Sequence, residues 1–183
     1  MNGAHICDPD HVVEQVVEHP TEKDKKGKPI MIPELIFGHL LTSTNYDPKG
    51  GAKQQKIVGG KNGYGAKLTN IFSLEFKIET VDVSRGLKYK QSFSNNMKEK
   101  KRPSVTSYTG KPYTKITWTT DFGRFGITNF SPDMISLMKR RVYDISGVTD
   151  KSLSVHYNGA HIKMKTFEKY MDLYLNDDKR VFQ

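Results

Sequence analysis

Apolar residues recur along this chain with changing spacing, and each spacing selects an element. Ile36, Phe37, Leu40 and Leu41 follow i, i+1, i+4, i+5, one face of a helix. Pro33 suits the first turn of that helix, where a missing N–H has no partner to lose. A short helix over Ala66 to about Ile71 then hands over to a period of two. Phe72, Leu74, Phe76 and Ile78 alternate with Ser73, Glu75 and Lys77, which predicts a half-buried strand. Leu87–Phe93 reads as its hairpin partner across Ser84-Arg85-Gly86, and Tyr113–Thr120 as a third strand with Ile116 and Trp118 on one face. Ser131-Pro132-Asp133 supplies an N-cap, a first-turn proline and an acid at the positive end of a helix. Met134, Met138, Val142 and Ile145 line one face of that helix, and Gly147 predicts its stop. Leu153–Tyr157 is a strand turning at Asn158-Gly159 and returning over Ala160–Met164. Phe167, Tyr170, Met171 and Tyr174 mark a last helix. Helices with an antiparallel-rich sheet make an α+β domain, with Phe72, Phe76, Ile116, Trp118, Met138 and Val142 expected in its core.

Some segments fall outside this patterning. Thr21–Lys28 (TEKDKKGK) reads as a solvated charged excursion. Lys98–Pro103 (KEKKRP) can touch phosphates, but a solvated hairpin tip is the better reading from charge alone. Thr42–Gly65 is polar, glycine-rich and too long for a simple connection, a length usual for lids and binding loops.

Composition narrows the class. The 183 residues, 36% hydrophobic and 10% aromatic, suffice for a real core. No window approaches the roughly 18 apolar residues of a spanning helix, and no signal-type stretch opens the chain. The single cysteine, Cys7, excludes an internal disulfide framework and a cysteine-cluster zinc site, so a soluble protein of a reducing, intracellular compartment is expected. A net charge of +9 favours a polyanionic partner without choosing one.

The chemistry concentrates in Gly59–Lys67, GGKNGYGAK. Four glycines in the seven positions from Gly59 to Gly65, followed by helix formers, let successive N–H groups converge on an anion at a helix N-terminus. A P-loop needs G-x-x-x-x-G-K-[ST]; Gly60 and Gly65 are followed by Ala66-Lys67-Leu68, with the lysine one position late and no hydroxyl. A dinucleotide fingerprint lacks its third glycine. Taken alone, the loop also fits a flexible surface turn. Upstream, Leu40–Asn45 (LLTSTN) offers hydroxyls and a carboxamide able to bind ribose or phosphate oxygens, although taken by itself the segment is better read as a helix C-terminal cap with turn chemistry.

Their combination is more specific. IPELIFGHLLTSTN at Ile32–Asn45 and GGKNGYGAKLTNIFS at Gly59–Ser73 are followed by KYKQSFSNNM at Lys88–Met97 and LMKRRVYDISG at Leu137–Gly147. With VHYNGAHIKMKTFEKYMDLYL at Val155–Leu175, these segments resemble, in order, the ATPase domain of the eukaryotic-type (type IIA) DNA topoisomerase II family, from about Val16 to Leu175. The resemblance implies a GHKL (Bergerat) sandwich, a mixed sheet with helices on one face, incomplete at its N-terminus. It implies ATP as ligand, with Gly60, Lys61, Asn62, Gly63, Tyr64, Gly65, Ala66 and Lys67 around the triphosphate and Ser43, Thr44 and Asn45 as further contacts. Lys61 stands where many relatives carry arginine, and Thr44 where serine is commoner; charge and hydroxyl both survive. Mg²⁺, a double-stranded DNA substrate, a homodimeric full enzyme, no membrane, and a nuclear location (cytoplasmic for a viral source) follow from the same resemblance. The full enzyme would pass one duplex through a transient break in another.

Residues 1–15 do not match the family. The family's general-base glutamate, its Mg²⁺-holding asparagine and its adenine-reading aspartate are expected upstream of Val16, so neither a catalytic residue nor a metal ligand is assigned in this chain. Glu14, Glu18 and Glu34 do not have the spacing of substitute bases, and His5, His11 and His19 lack the pairing of a metal site. Residues 176–183 read as the start of a linker toward a transducer domain. Lys98, Lys100, Lys101 and Arg102 are the candidate DNA contacts. The alternative is a non-catalytic, degenerate fragment that keeps the fold with weak nucleotide or DNA binding. A free-standing nucleic-acid module rests only on the net charge and the Lys98–Arg102 run, without supporting motifs.

Overall fold

The computed structural model describes residues 16–24, 26–40, 63–164 and 166–175. They belong to two compact units, one within 5–126 and the other within 127–183.

The first unit opens with a hairpin, strands β1 (Glu18–Lys23) and β2 (Pro29–Met31), rather than a loose excursion. Asp24 makes the turn by accepting from the amides of Lys26 and Lys28 at 2.8 and 2.9 Å, and Gly27 takes the positive φ of 76° that the reversal needs. Helix α1 (Ile32–Gly38) follows with Pro33 in its first turn, as the sequence predicts. It ends earlier than the apolar spacing suggests. Gly38 lies so close to the Phe93 ring that an added Cβ would sit 2.9 Å from Cε1, and the next residue, His39, is extended. Leu40 is consequently exposed. Helix α2 (Tyr64–Ile71) then leads into the sheet.

That sheet is built on the hairpin of β3 (Ser73–Asp82) and β4 (Leu87–Ser94), with β5 (Glu99–Lys100) and β6 (Ser104–Ser107) on the far side of β4 and β7 (Thr114–Thr120) beside β3. Every described pairing in it is antiparallel. The β3–β4 turn is fixed by Asp82, which accepts from Ser84 Oγ at 2.6 Å and the Arg85 amide at 3.1 Å, with Gly86 at φ 63°. In register, Phe76 faces Phe93, Ile78 faces Gln91 and Thr80 faces Tyr89. Directly opposed residues share a face, and this is the buried one. Val16, Phe37, Phe76, Ile78, Tyr89 and Phe93 form the core, with Phe37–Phe76 and Phe76–Phe93 ring centroids 6.1 and 6.3 Å apart.

The simple alternation expected from Phe72 onward is broken at Leu74. Ser73 pairs with Thr120 and Glu75 with Thr119, so Leu74 is an extra residue on β3, a bulge. Past it the phase resets, and Leu74 points to solvent while Phe76 and Ile78 point inward. The expected core is corrected accordingly. Phe76 is buried; Phe72, Ile116 and Val142 are half-buried; Met138 is exposed, and Trp118 is 45% exposed. Trp118 faces the same side as Phe76, but it sits on a strand that ends the sheet among the described pairings.

The second unit holds helix α3 (Pro132–Val148), the small hairpin β8 (His156–Tyr157) and β9 (Ala160–His161), and helix α4 (Phe167–Met171). Ser131 caps α3 by accepting from the Met134 amide at 3.2 Å. Asn158 and Gly159, at φ 49° and 81°, close the hairpin as a two-residue turn with left-handed central residues. Gly147 does not stop α3, which runs on to Val148; it is buried where Tyr170 crosses, and a Cβ there would lie 2.8 Å from Tyr170 Cβ and Cγ. Around that contact Tyr170 Oη donates to Asp144 Oδ1 at 2.7 Å and Ser146 Oγ to the Met164 carbonyl at 2.8 Å. Gly147→Ala is therefore expected to destabilise this unit by about 1–3 kcal/mol through overpacking; a thermal melt matching that of the unaltered chain would contradict the contact.

Candidate functional site

The glycine-rich segment re-enters the described structure at Gly63, the N-cap of α2, in the left-handed conformation at φ 65°, ψ 21°. That geometry favours glycine, because a Cβ there crowds the following carbonyl. Gly63 has no side chain to cap the helix, and among the described residues no side chain does so. The leading amides of an α-helix have no intrahelical partner, and here they open at the positive end of the helix dipole. Gly65 differs from Gly63. It lies inside α2 without a left-handed φ, and apart from its chain neighbours and the helix's own backbone no atom of the described residues comes within 4 Å of a Cβ built on it. The strain expected for a side chain at both glycines therefore holds for Gly63 only.

Lys67, one turn into α2, is only 3% exposed yet pairs with no carboxylate among the described residues. Burial lowers its pKa, since an ammonium loses hydration there without gaining a counter-charge. Asn70 is the other buried residue of α2. At i+3 from Lys67 it lies on the same helix face. Its Nδ2 donates to the Phe37 carbonyl at 3.1 Å, while its buried Oδ1 has no partner among the described residues. The end of α1 is thereby tied to α2. Sequence reasoning missed Asn70; the available signal was two polar residues, Lys67 and Asn70, on one face of a short helix.

Tyr64 and Ala66 complete the described part of the loop, both exposed at the start of α2. Ser43, Thr44 and Asn45, and Gly60, Lys61 and Asn62, lie outside the described residues. The helix end and its buried lysine suit a polyphosphate. For Mg²⁺ the described residues offer no group of three or more His, Cys, Asp or Glu side chains.

Glu34, set aside as a substitute base on spacing, is not a surface carboxylate. It is 7% exposed and accepts from Gln91 Nε2 at 2.9 Å and from Lys100 Nζ, with His39 Nε2 3.5 Å from Oε1. Burial alone pushes its carboxyl up, but the His39, Lys100 and Gln91 contacts and the Lys100 charge outweigh it and hold the pKa at about 2. A carboxylate so engaged is a poor proton acceptor at neutral pH. Of the other acids and histidines considered, Glu18 is exposed on β1 and His19 Nδ1 accepts from the Glu22 amide at 3.1 Å, while Glu14, His5 and His11 lie outside the described residues.

The basic run divides in the same way. Lys98, Lys101 and Arg102 are exposed, and the Lys101 carbonyl accepts from Gln91 Nε2 at 3.1 Å. Lys100 instead spends its ammonium on Glu34. It is neither a free cation nor part of a purely solvated tip.

No family model matches the chain. DNA topoisomerase 2 of Candida glabrata is 48% identical over 157 residues, which cover 85% of this chain and 11% of that protein. The Arabidopsis thaliana DNA topoisomerase 2 is 50% identical over 148 residues, 80% of this chain and 10% of its own length. The solved ATPase region of Saccharomyces cerevisiae topoisomerase II superposes with a TM-score of 0.77 at 45% identity, covering 88% of this chain and 40% of that one. The fold is thus the α+β sandwich of a topoisomerase ATPase region, as the sequence motifs imply. The chain belongs to the eukaryotic DNA topoisomerase II family and corresponds to part of its ATPase region, about a tenth of the length of the full relatives.

Proposed function

We propose that this chain contributes the phosphate-binding end of an ATP site to a type II DNA topoisomerase. The observation that carries the reading is Lys67, a buried ammonium without a counter-charge among the described residues, set one turn behind the uncapped start of α2. A triphosphate would supply that charge and accept from the open amides, while the glycines keep side chains out of its way. Gly60, Lys61 and Asn62 would continue the wrap, with Ser43, Thr44 and Asn45 as further contacts, and Mg²⁺ would accompany the nucleotide with its protein ligand outside the described residues. In the complete, homodimeric enzyme this site would gate passage of one DNA duplex through another, in the nucleus or, for a viral source, the cytoplasm. No helix among the described residues is long and apolar enough to cross a membrane. Lys98, Lys101 and Arg102 would give DNA a weak, sequence-independent, salt-sensitive contact.

Calorimetric titration of the 183-residue chain with Mg²⁺-ATP tests this. Binding by the unaltered chain and its loss in Lys67→Met are expected. Equal affinity in the two would overturn the assignment. Phosphate release should stay at background, because a positioned general base typically contributes about 10²–10⁴-fold and none is assigned here. Robust Mg²⁺-dependent hydrolysis would mean that one of the chain's own carboxylates serves as the base.

A further inference from the structure

Lys100 lies in the exposed run Lys98-Glu99-Lys100-Lys101-Arg102, where charge alone suggests contact with a polyanion. Strand register gives it a different role. β5 pairs with β4 so that Lys100 opposes Phe93 and Glu99 opposes Ser94. Phe93 is a core residue, so Lys100 takes the helix-covered face of the sheet, whereas Glu99 takes the opposite face and accepts from Ser94 Oγ at 3.0 Å. On the covered face the Lys100 ammonium meets Glu34 in the first turn of α1. The same carboxylate accepts from Gln91, which accepts in turn from Tyr89 Oη at 2.6 Å, so the pair is anchored to two core positions of β4.

From Glu34 the connection runs to the phosphate-binding helix through contacts already described. One turn along α1, the Phe37 carbonyl accepts from Asn70, and Asn70 shares a face of α2 with Lys67. We propose that the Glu34–Lys100 pair is a clasp that seats α1 on the sheet and, through Phe37 and Asn70, sets the position of Lys67 and the open end of α2 for nucleotide. The inference rests on the ATP-site reading given above. Lys100 is then a positioning residue for nucleotide and not a nucleic-acid contact. Glu34 is the buried member of the pair and Lys100 its partly exposed partner, so removing the ammonium leaves a buried carboxylate short of its cation, and the anchor loosens while the rest of the sheet stays hydrogen-bonded.

The test uses the complete chain, titrated with Mg²⁺-ATP well below its melting temperature and, separately, with duplex DNA over a range of salt concentrations. Lys100→Met is expected to weaken ATP about tenfold, the size of effect that linked positions exert at a distance. Lys100→Arg, which can still pair with a carboxylate, restores the affinity. Glu34→Gln, which keeps the side-chain shape and removes the charge, reproduces the loss, so the outcome does not hang on the folding of one variant. The dependence of DNA affinity on salt stays as in the unaltered chain. Unchanged ATP affinity in Lys100→Met and Glu34→Gln, with normal binding by the unaltered chain, overturns the clasp alone. So does a salt slope that falls by about one in Lys100→Met, the signature of a lost phosphate contact. If the unaltered chain binds no ATP, or Lys67→Met binds as well as it does, the ATP-site reading fails and the clasp falls with it.

Discussion

Gly63→Ala, installed in a complete type II topoisomerase, is expected to abolish ATP-dependent relaxation of supercoiled DNA, and Gly65→Ala to abolish it for a different reason. At Gly63 the backbone is left-handed, φ 65°. Alanine there costs roughly 1–2 kcal/mol before any ligand arrives. Loop and helix start would shift together, and the amides would no longer converge. Gly65 is in helical backbone with open space around a prospective Cβ. Alanine should leave the nucleotide-free protein as stable, or more stable by up to about 1 kcal/mol, since glycine is the poorer helix former. Loss of activity at Gly65 would therefore report a methyl group standing where a phosphate must approach. Melting temperature and supercoil relaxation measured side by side separate the two causes. Relaxation at the unaltered rate in both variants would remove the phosphate loop from the account.

The largest effect on folding is expected at Phe76. Its ring is buried between Phe37 and Phe93, and its strand neighbours on both sides are paired. Phe76→Ala should cost about 3–5 kcal/mol, combining lost transfer energy with a cavity that aromatic neighbours fill poorly. Trp118 opposes Phe76 across β3 and β7 and is the larger side chain, but it is 45% exposed. Trp118→Ala should cost well under half as much, because much of that surface is already in water. Denaturant titration of the two variants decides the ranking, and equal losses would show that β7 is covered in solution.

That ranking marks where sequence patterning stops being informative. Elements set by local chemistry were legible: the Ser131 cap, the Gly86 and Asn158-Gly159 turns, and the first-turn Pro33 each act within a few residues of themselves. The phase of β3 was not, because the extra residue at Leu74 exists only against the register of β7. Gly147 carries the same chemistry as a helix stop, and only the passage of Tyr170 gives it another meaning. At the site, the glycine motif and the resemblance pointed to Gly60–Lys67, of which Gly63–Lys67 lie within the described residues. Glu34, Gln91 and Lys100 were not recognisable as partners, since they come from α1, β4 and β5 and meet only once the strands align. Charge patterning placed Lys100 with Lys101 and Arg102; its pairing opposite Phe93 turns it instead to the face where Glu34 lies.

The place of β7 at the end of the described sheet bears on how the chain behaves in solution at high concentration. Thr114–Thr120 (TKITWTT) is long for an edge, rich in β-branched and aromatic residues, and carries a single charge, Lys115. Its outer row of backbone donors and acceptors has no strand partner among the described residues. A flat, hydrogen-bond-hungry edge of this kind templates addition of a like strand from another copy, and natural sheets blunt such edges with lysine or proline. Pro112 stands just ahead of this one and Lys115 within it, while Trp118 adds apolar surface beside it. Among the described residues β7 is thus the edge open to such pairing, and a second charge on the strand, as in Thr117→Lys, is expected to reduce association of the chain at high concentration.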